Sequence, residues 1–147
     1  MERTETDAAQ RLRAVVGKLS RRLRPTLAAE GLAPTSVSVL MTVGRLGPIG
    51  ISRLAEIEGV NPTMLSRVLA ELGERALVRR LPDPSDRRAA LIEATAAGLA
   101  LREQIRDERT DVLKVQLGAL SDAERRSVEA ALPVLERLTE RLKDRRA

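Results

Sequence analysis

Apolar side chains recur at every third or fourth position along most of this chain, and that spacing places them on one face of an α-helix. Glycine and proline interrupt the pattern and divide it into separate helices. The predicted helices cover about Asp7 to Glu30, Thr35 to Leu46, a brief segment from Ser52, Asn61 to Ala76, Ala96 to Gly118, and a last segment from Ser121. The chain is therefore expected to be largely helical.

Several helix ends carry side chains suited to that position. Thr35 and Ser52 are predicted to cap the second and third helices, because a hydroxyl oxygen can accept from an unpaired backbone N–H. Ser121 and Glu124 form a capping box at the start of the last helix. Pro25 removes a backbone donor, so we expect it to kink or restart the first helix.

Two short apolar runs, Leu77–Leu81 and Ala89–Ile92, are bounded by turn residues and are too brief for helices. Pro82 and Asp83 between them favour a tight turn, because proline fixes φ and aspartate bonds its own backbone. The run Gly47-Pro48-Ile49-Gly50 breaks the second helix and leaves room for a very short strand that could pair with this hairpin. The predicted fold class is mainly α with a small β-hairpin: two helices, a short strand, two helices, the hairpin and two final helices.

The segment from Asn61 to Arg88 has the most specific chemistry. Asn61 is a good helix cap, and the apolar face of the helix that follows leaves Thr63, Ser66 and Arg67 pointing outward. The hairpin then carries an arginine pair next to its turn. A helix followed by an arginine-tipped hairpin is typical of a winged helix-turn-helix, in which the helix enters the DNA major groove and the hairpin, the wing, reaches the minor groove.

Seven residues of this segment are predicted to bind DNA: Asn61, Thr63, Ser66, Arg67, Asp86, Arg87 and Arg88. Thr63 and Ser66 would face base edges or phosphates, and Arg67 would make a bidentate guanine contact. Arg88 would enter the minor groove, with its guanidinium held by Asp86, and Arg87 would contact a phosphate. The alternative is that Asp86 and Arg88 only close the turn.

The run Pro62-Thr63-Met64-Leu65-Ser66-Arg67-Val68, the wing Asp83-Pro84-Ser85-Asp86-Arg87-Arg88 and the segment Thr95-Ala96-Ala97-Gly98 resemble the MarR (multiple antibiotic resistance regulator) family over nearly the whole chain. Two positions depart from the family pattern: Ala76 replaces the usual glycine after the recognition helix, and Ala94 a leucine. The resemblance implies a dimer with interlocked N- and C-terminal helices. It also implies a small, often phenolic or anionic effector that binds between those helices and the winged domain.

Three segments are expected: residues 1–34 as an N-terminal dimerisation helix, 35–95 as the winged helix-turn-helix, and 96–147 as C-terminal dimerisation helices. The apolar stripes of the terminal helices need a partner, which a second copy would supply. A two-fold dimer would read a pseudo-palindromic operator in double-stranded DNA. The alternative is a monomer that folds these helices onto itself. The charged stretch from Arg102 to Asp111 is expected to project from the DNA-reading body.

Composition excludes several classes of function. The chain has no cysteine and no histidine, so thiol redox chemistry, thiolate zinc sites and the usual general base are absent, and no metal or cofactor is predicted. It has no Phe, Tyr or Trp, so a ligand pocket would offer no aromatic stacking. The formal net charge of +5 favours a polyanionic partner. No apolar run approaches a membrane span, and a cytoplasmic location is expected.

These patterns predict a homodimeric, sequence-specific transcription regulator, more readily a repressor than an activator, whose effector the sequence does not identify. A non-specific architectural DNA-binding protein is the main alternative, because wings and basic faces bind any duplex. A protein-binding winged helix and a plain helical hairpin are further alternatives. An enzyme would have to use the carboxylates of Asp83 and Asp86, which suit turn chemistry better.

Overall fold

A computed structural model of the chain describes residues 2–24 and 26–143. The prediction for Pro25 lies outside the described residues. The elements follow the predicted order: α1 (Glu2–Arg22), α2 (Pro34–Leu46), β1 (Ile49–Gly50), α3 (Ile51–Glu58), α4 (Pro62–Glu74), β2 (Val78–Pro82), β3 (Ala90–Ala94), α5 (Ala96–Gly118) and α6 (Asp122–Lys143). The predicted fold class is therefore confirmed, although α1 ends well before Glu30.

The chain divides into two compact units, residues 1–109 and 110–147. In the first unit, α2, α3 and α4 pack with a three-stranded antiparallel sheet of order β1-β3-β2. The predicted short strand is present, since Ile49 pairs with Ile92 on β3. Aliphatic side chains fill most of the core, and those fully buried include Val39, Leu40, Leu54, Leu65, Leu72 and Ile92.

Helix α4 begins as the sequence predicts. The Asn61 side-chain oxygen accepts a hydrogen bond from the Met64 backbone N–H at 2.8 Å, and Pro62 occupies the first helical turn. Leu65 and Leu72 on its inner face are fully buried. Because the apolar side is packed in the core, the polar side of the same helix faces outward.

Helix α4 ends in a tight turn that contains an unusual backbone conformation. The Ala76 N–H donates to the Gly73 carbonyl and the Leu77 N–H to the Leu72 carbonyl, both at 2.9 Å, the pattern of a Schellman motif. Ala76 has a φ of +56°, in the left-handed region that favours glycine. The turn after α4 is therefore formed with alanine at position 76, where the family pattern has glycine.

The predicted caps of α2 and α3 are each wrong by two residues. Helix α2 starts at Pro34 with Ala33 as its cap, and α3 starts at Ile51 with Gly50 as its cap, so neither Thr35 nor Ser52 caps its helix. Proline suits the first helical position because it lacks the N–H that would be unpaired there, and this moves the start of α2 ahead of Thr35.

The first half of α5 packs against the winged domain, so the expectation that residues 102–111 project from it is wrong for residues up to 109. Ile105 is fully buried, and the Glu108 carboxylate accepts the Ala28 backbone N–H at 2.9 and 3.2 Å. At the start of α5, a Cβ on Gly98 would overlap the Leu77 carbonyl oxygen. The helix can therefore approach the backbone just before β2 this closely only with glycine at that position.

In the second unit, the predicted capping box at the start of α6 is confirmed. The Ser121 backbone N–H donates to the Glu124 carboxylate at 2.9 Å, and the Glu124 N–H donates back to the Ser121 hydroxyl at 3.3 Å. The Ser121 hydroxyl and N–H together hold the pKa of Glu124 below its ordinary value. Helix α6 continues through Pro133 and exposes an apolar stripe of Val128, Leu132, Leu135, Leu138 and Leu142.

Candidate nucleic-acid interface

The outer face of α4 presents the predicted major-groove residues. Thr63, Ser66 and Arg67 are all exposed, because Leu65, Val68 and the other core-facing residues of the helix lie on the opposite side. Asn61 is exposed as well, although its side-chain oxygen is engaged in the cap. The sequence did not single out Met64, whose side chain is 46% exposed beside Thr63 and offers an apolar contact for a thymine methyl group.

The tip of the wing is ordered by two aspartates that bond their own backbone. Asp83 accepts from the Ser85 N–H at 2.8 Å, and Asp86 accepts from the Arg88 N–H at 2.9 Å. The prediction that Asp86 holds the Arg88 guanidinium is therefore wrong for this structure, because its carboxylate binds the backbone instead. Arg87 and Arg88 are exposed beyond this turn.

The hydrogen bonds at the tip of the wing also lower the pKa of one of its two carboxylates. The Ser85 hydroxyl and N–H hold the pKa of Asp83 below its ordinary value, so this group stays ionised. Both aspartates stabilise the turn, which is the role that turn chemistry gives them. Among the described residues, no cluster of three or more His, Cys, Asp or Glu side chains could hold a metal ion.

Two further arginines lie on β2, and one of them stabilises the hairpin. Arg79 on β2 forms a salt bridge with Glu93 on β3, directly opposite it in the sheet register. Such a cross-strand pair stabilises the hairpin by only a few tenths of a kcal/mol to about 1 kcal/mol, but it favours this strand register. Arg80 is exposed on the same strand. The sequence placed both residues in the hairpin without assigning them a role.

Helix α4 is held in place at its inner, C-terminal end by polar contacts that the sequence did not predict. The fully buried Ser36 of α2 donates its hydroxyl hydrogen bond to the Glu71 carboxylate. Arg75, just after α4, donates to the Gly31 carbonyl at 2.5 Å and lies 3.8 Å from Glu71. These bonds connect α4 to α2 and to the loop before it, so the exposed face is presented by a fixed helix.

The fold and the exposed residues define a class of protein, the helix-turn-helix transcriptional regulators, and comparison with known proteins agrees. Residues 32–90 match the model of the MarR family. The uncharacterized HTH-type transcriptional regulator Mb0904 of Mycobacterium bovis is 30% identical over 127 residues, which are 86% of this chain and 89% of that protein. The chain belongs to the MarR family, whose members bind DNA and act as dimers.

Two other relatives show how far the similarity extends. The transcriptional regulator Tm0710 of Thermotoga maritima has the same fold, with a TM-score of 0.79 at 22% identity over 95% of this chain and 98% of that one. The HTH-type transcriptional repressor NicR of Pseudomonas putida is 29% identical over 79 residues, which are 54% of this chain and 50% of that protein. None of the helices in the described residues is long and apolar enough to cross a membrane.

Proposed function

We propose that this protein is a homodimeric, sequence-specific DNA-binding repressor that a small-molecule effector releases from its operator. The observation that carries the proposal is the outer face of α4, where Thr63, Ser66 and Arg67 are exposed on a helix fixed in the core. Arg67 can read guanine through two hydrogen bonds, and the short hydroxyl side chains allow the helix to approach the bases closely.

The wing supplies the second DNA contact in this proposal. Arg88 lies next to a turn ordered by Asp83 and Asp86, so its backbone position is defined before DNA binds. An arginine inserted into a narrow minor groove gains from the concentrated negative potential there. Arg87 would neutralise a phosphate, which positions the protein without reading sequence.

Dimerisation rests on apolar side chains that the chain leaves exposed. On α1 these include Val15, Val16 and Leu19, and α6 exposes its stripe from Val128 to Leu142. We therefore assign residues 1–34 and 96–147 to dimerisation and residues 35–95 to DNA binding. A two-fold dimer presents two α4 helices to successive major grooves, which calls for a pseudo-palindromic operator.

The repressor role is supported by the relative that is named a repressor, NicR, over the region of shared sequence. A protein that occupies an operator blocks transcription by exclusion, without any contact to the transcription machinery. A function on chromosomal DNA also implies a cytoplasmic location. The relatives are regulators, and we propose no enzymatic role for this chain.

Fluorescence anisotropy on a duplex selected from a random library tests the proposal, with scrambled duplex as competitor and a salt series. We expect Arg67→Ala to lower affinity by roughly 10-fold and to relax discrimination at one base pair, since a bidentate pair contributes about 1–3 kcal/mol. Arg88→Ala should lower affinity with an unchanged unfolding transition. Arg126→Ala on α6 is the matched control, because its side chain is exposed and outside both DNA contacts.

The alternative of a non-specific architectural protein makes the opposite prediction in the same assay. Its binding would be abolished by scrambled competitor and would leave only a steep salt dependence. Wild-type affinity in both Arg67→Ala and Arg88→Ala would show that neither α4 nor the wing contacts DNA as proposed.

A further inference from the structure

A cavity of about 880 Å³ lies within the first unit, and none of the seven predicted DNA-binding residues lines it. Its walls come from the end of α1, the loop that follows, α2, the α3–α4 turn and α5. Five arginines line it, against a single glutamate, Glu58. A cleft lined mainly by one sign of charge concentrates ions of the opposite sign, so this excess of arginine favours a ligand that carries negative charge.

Three of the arginines form one stripe along α5. Arg102, Arg106 and Arg109 are spaced by four and three residues, so they lie on one helix face about one turn apart. Arg102 lies directly over Gly44 of α2, where a Cβ would overlap its side chain, and it is only 17% exposed. Glycine at position 44 thus makes room for an arginine between the two helices.

The other two arginines reach the cavity from different walls. Arg24 follows α1, and Arg45 belongs to the last turn of α2; both are exposed. The five guanidinium groups therefore come from three separate segments of the chain. A ligand with a single charged group would meet only part of this set.

The acidic residues nearby are already engaged. The Ser38 and Thr42 hydroxyls donate to the two carboxylate oxygens of Glu58, at 2.8 and 2.5 Å. Glu103 pairs with both Arg102 and Arg106, at 2.6 and 2.9 Å. Glu103 therefore neutralises part of the charge of Arg102 and Arg106, and five arginines remain against these two carboxylates.

Three buried polar atoms on the lining have no hydrogen-bond partner among the residues that the structure describes: the Thr26 hydroxyl oxygen and the Nε atoms of Arg102 and Arg109. A buried donor without an acceptor destabilises a folded chain by about 1–3 kcal/mol, and native proteins keep few of them. Guanidinium groups match carboxylate and phosphate oxygens in pairs. Both observations favour an acceptor-rich anion in this cavity.

We propose that the cavity binds a small aliphatic anion with two or more carboxylate or phosphate groups. The remaining lining is aliphatic, with Leu23, Leu32 and Met41 among it, and the chain contains no aromatic ring to stack on a phenolic ligand. The affinity must therefore come from paired charges rather than from ring stacking. This inference deepens the proposed function, on which its regulatory consequence rests.

The cavity also touches the segment that positions the recognition helix. Glu58 and Val60 line it, and Val60 directly precedes Asn61, the cap of α4. A ligand that draws the α5 arginines together can therefore displace the turn before α4. An anion that binds more tightly when this turn is displaced lowers the affinity of the protein for its operator. By thermodynamic linkage, operator DNA lowers the affinity for the anion by the same factor.

Isothermal titration calorimetry without DNA tests the site, at constant ionic strength. The probes are citrate for a polycarboxylate and pyrophosphate for a phosphate, with acetate and benzoate as singly charged controls. We expect saturable binding of citrate, pyrophosphate or both at one site per protomer, and at least 10-fold weaker binding of the controls. The stronger of the two probes identifies the acidic group that the site prefers.

Two variants and one matched control locate the binding. Arg109→Gln removes a half-buried donor of the stripe, and Arg45→Gln removes an exposed one whose loss does not endanger folding. Each should weaken binding of the multiply charged probe by on the order of 10-fold, as expected for a hydrogen bond to a charged group. Arg126→Gln, which lowers the net charge equally but lies on α6, should bind as the wild type does.

The opposite results would overturn the inference. No probe binding, equal binding of benzoate and citrate, or an equal loss in Arg126→Gln would show that the cavity does not select a multiply charged anion. Operator affinity that a saturating probe leaves unchanged would overturn the link to α4. A failure of the proposed function gives a different result: the ligand-free protein would then show no specific DNA binding.

Discussion

The alanine at the end of α4 gives the sharpest test of how the sequence fits this fold. Ala76 has a φ of +56° and occupies the position of the Schellman motif at which glycine is preferred. A left-handed conformation costs an L-residue with a Cβ roughly 1–2 kcal/mol. The Ala76→Gly variant removes that cost, and because residue 76 is exposed it removes little packing.

The gain is partly offset in the unfolded state. Glycine has more conformations to lose on folding, which costs about 0.4–1 kcal/mol. The expected net effect is a stabilisation of roughly 0.5–1 kcal/mol, or a rise in the unfolding temperature of about 1–4 °C for a chain of this size. Urea unfolding at fixed protomer concentration measures it, since a dimer's stability depends on concentration.

A matched variant on the same helix gives the opposite expectation. Ala70 is exposed in the interior of α4, where glycine should destabilise by about 1 kcal/mol. The two alanine-to-glycine changes should therefore differ in sign. Equal destabilisation by both would mean that residue 76 has an ordinary helical or extended backbone, and the account of this turn would be refuted.

Two more predictions follow from contacts in the two units. Gly98→Ala should destabilise the protein by roughly 1–3 kcal/mol, because its Cβ would overlap the Leu77 carbonyl oxygen and force α5 away from the backbone just before β2; urea unfolding measures it. Glu124 should titrate below its ordinary pKa of 4.5 in an NMR experiment, and Ser121→Ala should return its pKa toward that value. Because the folded-state pKa is the lower one, this stabilisation of the α6 start is complete above about pH 4.5 and is lost as pH falls through the folded-state pKa.

The Gly98 prediction has a control within the chain. Gly118, at the end of α5, has open space where a Cβ would stand, so Gly118→Ala should not repeat the large cost at Gly98. A Gly98→Ala variant as stable as the wild type would contradict the close approach of α5 to the Leu77 carbonyl. An unchanged Glu124 pKa in Ser121→Ala would show that the capping box does not cause the shift.

Much of the fold could be predicted from the sequence because the deciding interactions are local. Helical periodicity, the Pro82–Asp86 turn and the Asn61 cap each depend on residues a few positions apart, and all three appear in the structure. The exposed face of α4 follows in the same way, since a helix that buries Leu65 and Leu72 must turn Ser66 outward. The roles of the exposed residues in DNA binding are still predictions.

The failures arose where a polar group had more than one partner within reach. Asp86 can bond either a guanidinium or a backbone N–H, and the turn geometry brings the Arg88 N–H to it. Thr35 was a suitable cap by residue type, but Pro34 already begins the helix. Sequence alone supplies the side chains for such contacts without deciding which of them meet.

Periodicity therefore determined the number and order of the elements, and with them the exposed face of α4. Tertiary packing decided which side of α5 is covered: the spacing of Arg102, Arg106 and Arg109 shows that they share a face, but not what that face meets. Only the approach of α5 to α2 at Gly44 places those arginines around a cavity. The physical reason is that backbone hydrogen bonding and side-chain period act within a few residues, whereas a cavity is formed by segments that are distant in sequence.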